Sequence, residues 1–404
     1  MSLRENSPTN TWLAGTVAER VIDKLGYRMT KSGVKKVAVV GAGIAGLSIA
    51  WALARRGVSV DVFDQGPIPN PVSSSFDEHR INRHAYGKLE GYSRLMPHAY
   101  RVWDELWADL GVKHYEETSG IYVLRQLDGW YERTVPVLKE LGVSARDLSM
   151  DELSQKLPMI KTDGVERAVM VGGQGLLFPS RILTSLVVHL TRLGVRFHAQ
   201  TRVTSMDPDA GKLVTEKDTH ASDVIVVAAG AWIDRLVPSL RGVAVPSRQA
   251  VVFLAPPTRF ASAWAQAPIV VIKNGPAGLY VLPPRSGTRL KVGDHRFSLT
   301  GNPDDDRKAT KEDLRPVWEE LKGAFRSVDE YDALEDKACF YTVTKDEAFI
   351  AQMIGRCGWA VSACSGHGFK LGPFVGAGVA AGILGDLEAH VVTEQIAGRP
   401  IPAG

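Results

Sequence analysis

Val37-Ala38-Val39-Val40-Gly41-Ala42-Gly43-Ile44-Ala45-Gly46 decides the fold. A short apolar run ends in a glycine turn, and Leu47 to Arg56 continues with helical composition. Strand, glycine turn and helix in that order open a parallel βαβ unit. Gly41 permits the tight turn, Gly43 lets the backbone approach a pyrophosphate, and Gly46 lets helix and strand pack closely. Ile44 and Ala45 begin the helix, whose free N–H groups and positive dipole face the phosphates. Val58 to Phe63 reads as the next strand and ends at Asp64, near the spacing of a ribose-binding acid. Aspartate there, rather than arginine, disfavours a 2′-phosphate. NAD and FAD both satisfy this pattern. A second glycine run, Gly376 to Gly382, does not directly follow a strand, and its small residues suit close helix packing instead.

The rest of the 404-residue chain is large enough for two lobes and, at 45% hydrophobic, for full cores. The net charge of +3 gives no reason to expect nucleic acid or an anionic membrane as partner. No run of about 18 apolar residues predicts a membrane span. Met1 to Lys36 lacks the apolar centre of a signal peptide. Cys339, Cys357 and Cys364 are odd in number and widely spaced, which argues against a disulfide framework or a zinc site and for a reducing cytoplasm. No metal is expected.

Thr11 to Leu25 has helical apolar spacing and predicts an amphipathic helix in an N-terminal extension, 1–36. Helices are predicted over Tyr92–Leu110, Trp130–Leu141, Ser180–Leu193 and Lys311–Ala324, the last opened by Thr310 with Asp313. Strands are predicted at 121–124, 196–199, 224–228 and 359–363, and a final helix to about His390. Gly230 and Trp232, just past the strand 224–228, are candidate cofactor contacts. From 245 to 300, short runs split by proline and glycine suggest an antiparallel sheet. The nucleotide elements lie at both ends of the chain. The expected architecture is therefore α/β. A Rossmann-like domain is assembled from discontinuous segments 37–84, 172–242 and 335–395, and an α+β substrate domain with an antiparallel sheet comes from 85–171 and 243–334.

Further stretches are more specific: Arg80-Ile81-Asn82-Arg83-His84-Ala85-Tyr86-Gly87, Lys291-Val292-Gly293-Asp294-His295, Cys339-Phe340-Tyr341-Thr342 and Ser365-Gly366-His367-Gly368-Phe369-Lys370. In these motifs and their order the chain resembles the sarcosine oxidase family, flavin-dependent oxidases of N-methyl and cyclic secondary amino acids. The resemblance implies that the Rossmann-like domain binds FAD. It implies a thioether from Cys339 to the flavin 8α carbon, since a thiolate near cations is a good nucleophile. Arg83 and Lys370 match the pair that holds the substrate carboxylate. Lys291 matches the lysine near flavin N5 that activates oxygen, and Arg80 a flavin-neighbouring cation. His295 and His367 match active-site histidines, and Tyr280 and Tyr341 pocket-wall tyrosines. The loop around Gly366, His367, Gly368 and Lys370 also matches a cofactor contact at the N1–C2 carbonyl.

The implied reaction passes a hydride to flavin N5, giving an imine, and dioxygen leaves as hydrogen peroxide. A dehydrogenase using another electron carrier, or an oxidase of sugar-derived (Amadori or opine-type) amino acids, are the alternatives. The implied partners are a small amino acid and dioxygen, with the protein a monomer or small homo-oligomer. Phe76, Lys88 and Asp294 depart from the family pattern, where histidine, glutamate and an aromatic are usual. These departures bear on the amine substituent more than on the flavin chemistry.

Overall fold

A computed structural model describes residues 33–275, 277–362 and 364–401. The helix expected over Thr11–Leu25 lies outside the described residues. Lys36–Val40 is the strand read from the opening stretch, and it pairs in parallel with both Ser59–Phe63 and Val224–Val227. Arg196–His198 extends the sheet on one side. Gly358–Ser362 adds a parallel strand on the other, and Ile350–Ile354 closes that edge antiparallel. Strands from both ends of the chain thus form one six-stranded sheet. Its central strands are apolar on both faces because both are covered, one by helices and the other by the small antiparallel sheet of 203–207, 212–215 and 219–221 with the short helix Ile233–Leu236.

Ile44–Ala54 packs along Gly372–Ile383. A Cβ on Gly376 would stand 2.5 Å from the Ser48 carbonyl carbon, so the second glycine run does serve close helix packing. The final helix expected to reach His390 is two helices. Gly372–Ile383 ends before Gly385, whose φ of 72° turns the chain, and Ala389–Ile396 follows. Glu90–Leu110 buries Leu95, Met96, Val102, Trp103 and Leu106 in the same core as the glycine-turn helix. Expected in the substrate domain, this helix instead packs its apolar stripe on the nucleotide-domain helices Gly372–Ile383 and Pro179–Arg192.

A second, eight-stranded sheet runs in the order 332–343, 245–255, 290–294, 277–282, 269–274, 120–124, 167–171, 145–148. It is antiparallel except where Ile269–Asn274 lies parallel to Gly120–Leu124, so the expected antiparallel sheet is mixed. Asp332–Val343 is its outer strand, paired with Val245–Ala255. Residues 335–343, expected among the nucleotide segments, belong to this sheet instead. Lys311–Ala324 covers one face through Leu314, Val317 and Leu321. Its N-terminus is the expected capping box: Thr310 Oγ1 accepts from Asp313 N at 3.1 Å, and Asp313 Oδ2 accepts from Thr310 N at 2.8 Å. A small sheet of Arg80–Asn82, Gly175–Leu177 and Tyr115–Glu117 joins the two large ones and carries the arginine motif between them.

Candidate active site

At the glycine turn, Gly41 has φ of 106°, and a Cβ there would stand 2.3 Å from the Ala228 carbonyl oxygen. A Cβ on Gly46 would stand 1.9 Å from the Gly41 oxygen, so both positions demand glycine for packing. Gly41, Gly43, Ile44 and Ala45 line a cavity of about 150 Å³, together with Asp64, Gly230 and Trp232. Gly46 lies behind it. Asp64 Oδ2 accepts from Ala42 N at 2.9 Å, and Oδ1 from Gly66 N and the Asn70 amide, both at 2.9 Å. The carboxylate therefore braces the turn as well as facing the cavity. Trp232 is held by a 2.7 Å hydrogen bond from Nε1 to Asp304. Sequence reasoning missed Ser73, Ser74 and Ser75, which line this cavity. Ser75 Oγ accepts from Ile44 N at 3.0 Å.

A larger cavity of about 550 Å³ lies beyond, with Ser74, Cys364 and Phe369 in the walls of both. It gathers every residue expected at the reacting centre: Arg80, Arg83, Tyr280, Lys291, His295, Tyr341, Gly366, His367, Gly368 and Lys370. These come from separate elements. In Leu290–Asp294 the strand alternation sends Leu290 and Val292 into the helix-covered core and turns Lys291 to the opposite face, toward the cavity. The lysine is 1% exposed, not the surface charge that a lone strand lysine usually is. Its ammonium is hydrogen-bonded to Asp77 Oδ2. Arg80 Nη2 lies 3.1 Å from the same carboxylate oxygen. Burial pulls the Lys291 pKa down to about 8, against the pull of Asp77. Burial would raise Asp77, but Lys291 and Arg80 outweigh it and hold the carboxyl far below its ordinary range.

Arg83 and Lys370 converge although 287 residues apart in sequence numbering (370 − 83). Their cationic ends lie 5.4 Å and 4.9 Å from the centre of one ring, Tyr86. The Arg83 guanidinium is anchored to the Ala85 carbonyl at 2.6 Å, and the Lys370 carbonyl accepts from Trp103 Nε1 at 2.7 Å. Burial, then the charge of Arg83, pulls the Lys370 pKa well below its ordinary value. A carboxylate arriving between them would restore the proton.

His367 is buried against Phe349, Tyr92 and Tyr86. Its Nε2 faces the Glu347 carbonyl at 3.1 Å and must donate there, which leaves Nδ1 as an acceptor without a partner among the described residues. Burial and Lys370 depress its pKa, so the ring is neutral. His295 is accessible from the cavity, yet the surrounding protein and the nearby Arg83, Lys273 and Lys370 also pull its pKa down. Tyr280 stays a neutral phenol, its pKa raised by burial and by Tyr341.

Cys339 does not line the large cavity. It opens on a small void with Ser73, Asp77, Arg80 and Lys337. Ser73 is shared with the first cavity and Arg80 with the second, so the thiol sits beside the junction. Arg80, Lys291 and Arg307 all interact electrostatically with it. Lys88, one of the departures from the family pattern, pairs at 2.8 Å with Glu347 where both line the large cavity. Asp294 also lines it, whereas Phe76 faces the small void.

The shape fits a dinucleotide whose phosphates meet the glycine turn and whose ring enters the larger space. Buried groups along the path support this, for Ser73 Oγ, Thr342 Oγ1, Arg80 Nε and Tyr86 Oη have no hydrogen-bond partner among the described residues. The family of FAD dependent oxidoreductases matches residues 36–381. The chain belongs to this family. A monomeric sarcosine oxidase from Bacillus sp. (strain B-0618) is 28% identical over 356 residues, covering 84% of this chain and 90% of that protein. An N-methyl-L-tryptophan oxidase from Yersinia pestis (strain Pestoides F) is 26% identical over 345 residues, covering 84% and 92%. Among solved structures, the L-proline dehydrogenase from P. horikoshii shares the fold, with a TM-score of 0.75 at 21% identity over 88% of this chain and 95% of that one. This member of the family is thus an FAD-dependent oxidoreductase. Among the described residues no helix is long and apolar enough to cross a membrane, and no cluster of side chains could hold a metal ion.

Proposed function

We infer that the protein oxidises an N-substituted or cyclic secondary amino acid, with FAD joined to Cys339 and dioxygen as acceptor, releasing hydrogen peroxide. The observation that carries this reading is the meeting of Arg83 and Lys370 over Tyr86 in the cavity whose wall holds Lys291. The sarcosine and N-methyl-L-tryptophan oxidases among its relatives support the same substrate class. Its unpaired thiols fit a cytoplasmic setting.

FAD, when bound, would accept the hydride from the carbon beside nitrogen and hand the electrons to dioxygen. Gly43, Ile44 and Ala45 would hold its phosphates, and the Gly366–Gly368 loop its ring. Arg83 offers a planar fork to the substrate carboxylate and Lys370 a second charge, which fixes one end of the molecule. Tyr280 and Tyr341 wall the space with neutral phenols. Neutral His367 can accept at Nδ1, and His295 keeps an uncharged ring among cations. Lys291 presents an ammonium where dioxygen gains negative charge. Water then hydrolyses the imine.

Addition of N-methyl and cyclic amino acids to air-equilibrated holoenzyme tests this. Peroxide release with at least one of them, and yellow colour retained by acid-precipitated protein but lost in Cys339→Ala, are the expected results. A broad panel that neither bleaches the flavin anaerobically nor yields peroxide in air contradicts it. Turnover with an artificial dye but not with dioxygen points to the dehydrogenase reading.

A further inference from the structure

Lys291 and Asp77 form a charged pair that runs through a wall of the active site. Lys291 lines the large cavity, and Asp77 stands behind it on the small void beside Cys339. Neither is a surface group: the side chains are 1% and 4% exposed. The carboxylate is fixed from several sides. Its Oδ1 accepts from Glu78 N at 2.8 Å, while Oδ2 faces the Lys291 ammonium and, at 3.1 Å, Arg80 Nη2. The other charged or titratable groups that act on the pair include Lys337 on the outer strand, Cys339, His79 and Tyr280. The Phe253 ring covers the ammonium at 5.9 Å.

Two opposing effects meet at Lys291. A buried ammonium without a counter-ion falls to a pKa of roughly 5–6 and sheds its proton at neutral pH. A counter-ion restores the charge but weakens its outward field. Here burial and the like charge of Arg80 outweigh Asp77 enough to lower the midpoint, but Asp77 keeps it above neutral pH. Asp77 also has Arg80 as a partner, so its charge is shared rather than spent on Lys291 alone. With a midpoint of about 8, the ammonium outnumbers the amine by about ten to one at pH 7.

We propose that Asp77 is a positioning residue for dioxygen reduction: it pins Lys291 in the cavity wall and keeps that buried amine charged. This rests on the reading of Lys291 given above. In that reading dioxygen takes two electrons from the reduced cofactor and two protons and leaves as hydrogen peroxide. The anion formed after the first electron is what the ammonium stabilises.

The test separates charge from chemistry. Protein labelled with ε-13C-lysine, its Lys291 signal assigned with Lys291→Met, reports the lysine titration directly. Stopped-flow mixing measures the reductive and oxidative halves apart. In Asp77→Asn the Lys291 midpoint should fall by about 2 pH units or more. The reaction of reduced enzyme with dioxygen at pH 7 should slow at least tenfold and recover toward pH 5–6, with anaerobic reduction by substrate changed less than about threefold. In a Lys291→Met background, Asp77→Asn should add nothing to the oxygen reaction. Asp77→Glu, which keeps the charge and protects against failure to fold, should hold the midpoint above 7 and the oxygen rate within about tenfold of the parent. An unchanged titration and oxygen rate in Asp77→Asn, or an oxygen defect in Asp77→Glu as deep as in Lys291→Met, would overturn the proposal. A shifted titration with normal oxygen reaction in Lys291→Met would leave the charge assignment standing and remove the role read for the lysine.

Discussion

The two ends of the cofactor path are built from different materials. At the glycine turn the contacts are backbone, set by what a Cβ would strike: Gly46 leaves no room against Gly41, nor Gly41 against Ala228. At the larger cavity the contacts are charged side chains from the small joining sheet, the mixed sheet and the loop before the penultimate helix. The first region is local in sequence and tolerates no added atom. The second is assembled across the chain and depends on which groups keep their charge in a buried place. Substitutions should therefore fail differently: steric changes should cost stability and cofactor at the turn, and charge changes should cost rate at the cavity.

The largest expected effect is at the carboxylate clamp. Arg83→Met should lower kcat/KM by about 10³-fold, roughly the loss on removing one partner of a buried charge pair. Arg83→Lys should not restore it, because the planar fork is lost. Steady-state kinetics with flavin content measured in parallel checks both. Next, Lys291→Met should slow the oxygen reaction by about 10²-fold or more, as for loss of a preorganised charge. In the parent the same reaction should fall as pH rises through about 8, where the ammonium loses its proton. A rate rising through that range would place the needed charge elsewhere.

At the turn, Gly46→Ala should destabilise the protein by about 1–3 kcal/mol through overpacking and lower the bound flavin, while turnover per bound flavin stays near the parent. A rate defect at full flavin content would blur the contrast between the regions. The smallest effect lies away from both. Thr310→Ala should cost about 1 kcal/mol of stability and leave kinetics unchanged, as a melting curve would show.

What could be read in the sequence follows the same division. The glycine turn, the strand to Asp64 and the Thr310–Asp313 capping box are short-range patterns, and each occupies its expected place. The gathering of Lys291, Arg83 and Lys370 was legible only through motif resemblance, since nothing in periodicity links residues so far apart. Asp77 gave no signal, because a carboxylate in a polar loop is ordinarily solvated; only the packed strand opposite makes it a counter-ion. The outer strand Asp332–Val343 was missed for a related reason. Its first half is exposed and charged, so the alternation that marks a half-buried strand is absent until Ala338. Ser73, Ser74 and Ser75 looked like a simple loop. They matter because that loop folds back over the start of the glycine-turn helix.

The most direct measurement of the central claim is anaerobic mixing of holoenzyme with secondary amino acids and with the same amines lacking the carboxylate, followed at the flavin absorbance band. Rapid bleaching by at least one acid, its loss in both Arg83→Met and Lys370→Met, and little or none with the decarboxylated amines are the predicted results. Equal bleaching with and without the carboxylate, or bleaching undiminished in both variants, would contradict the placement of Arg83 and Lys370 on one substrate.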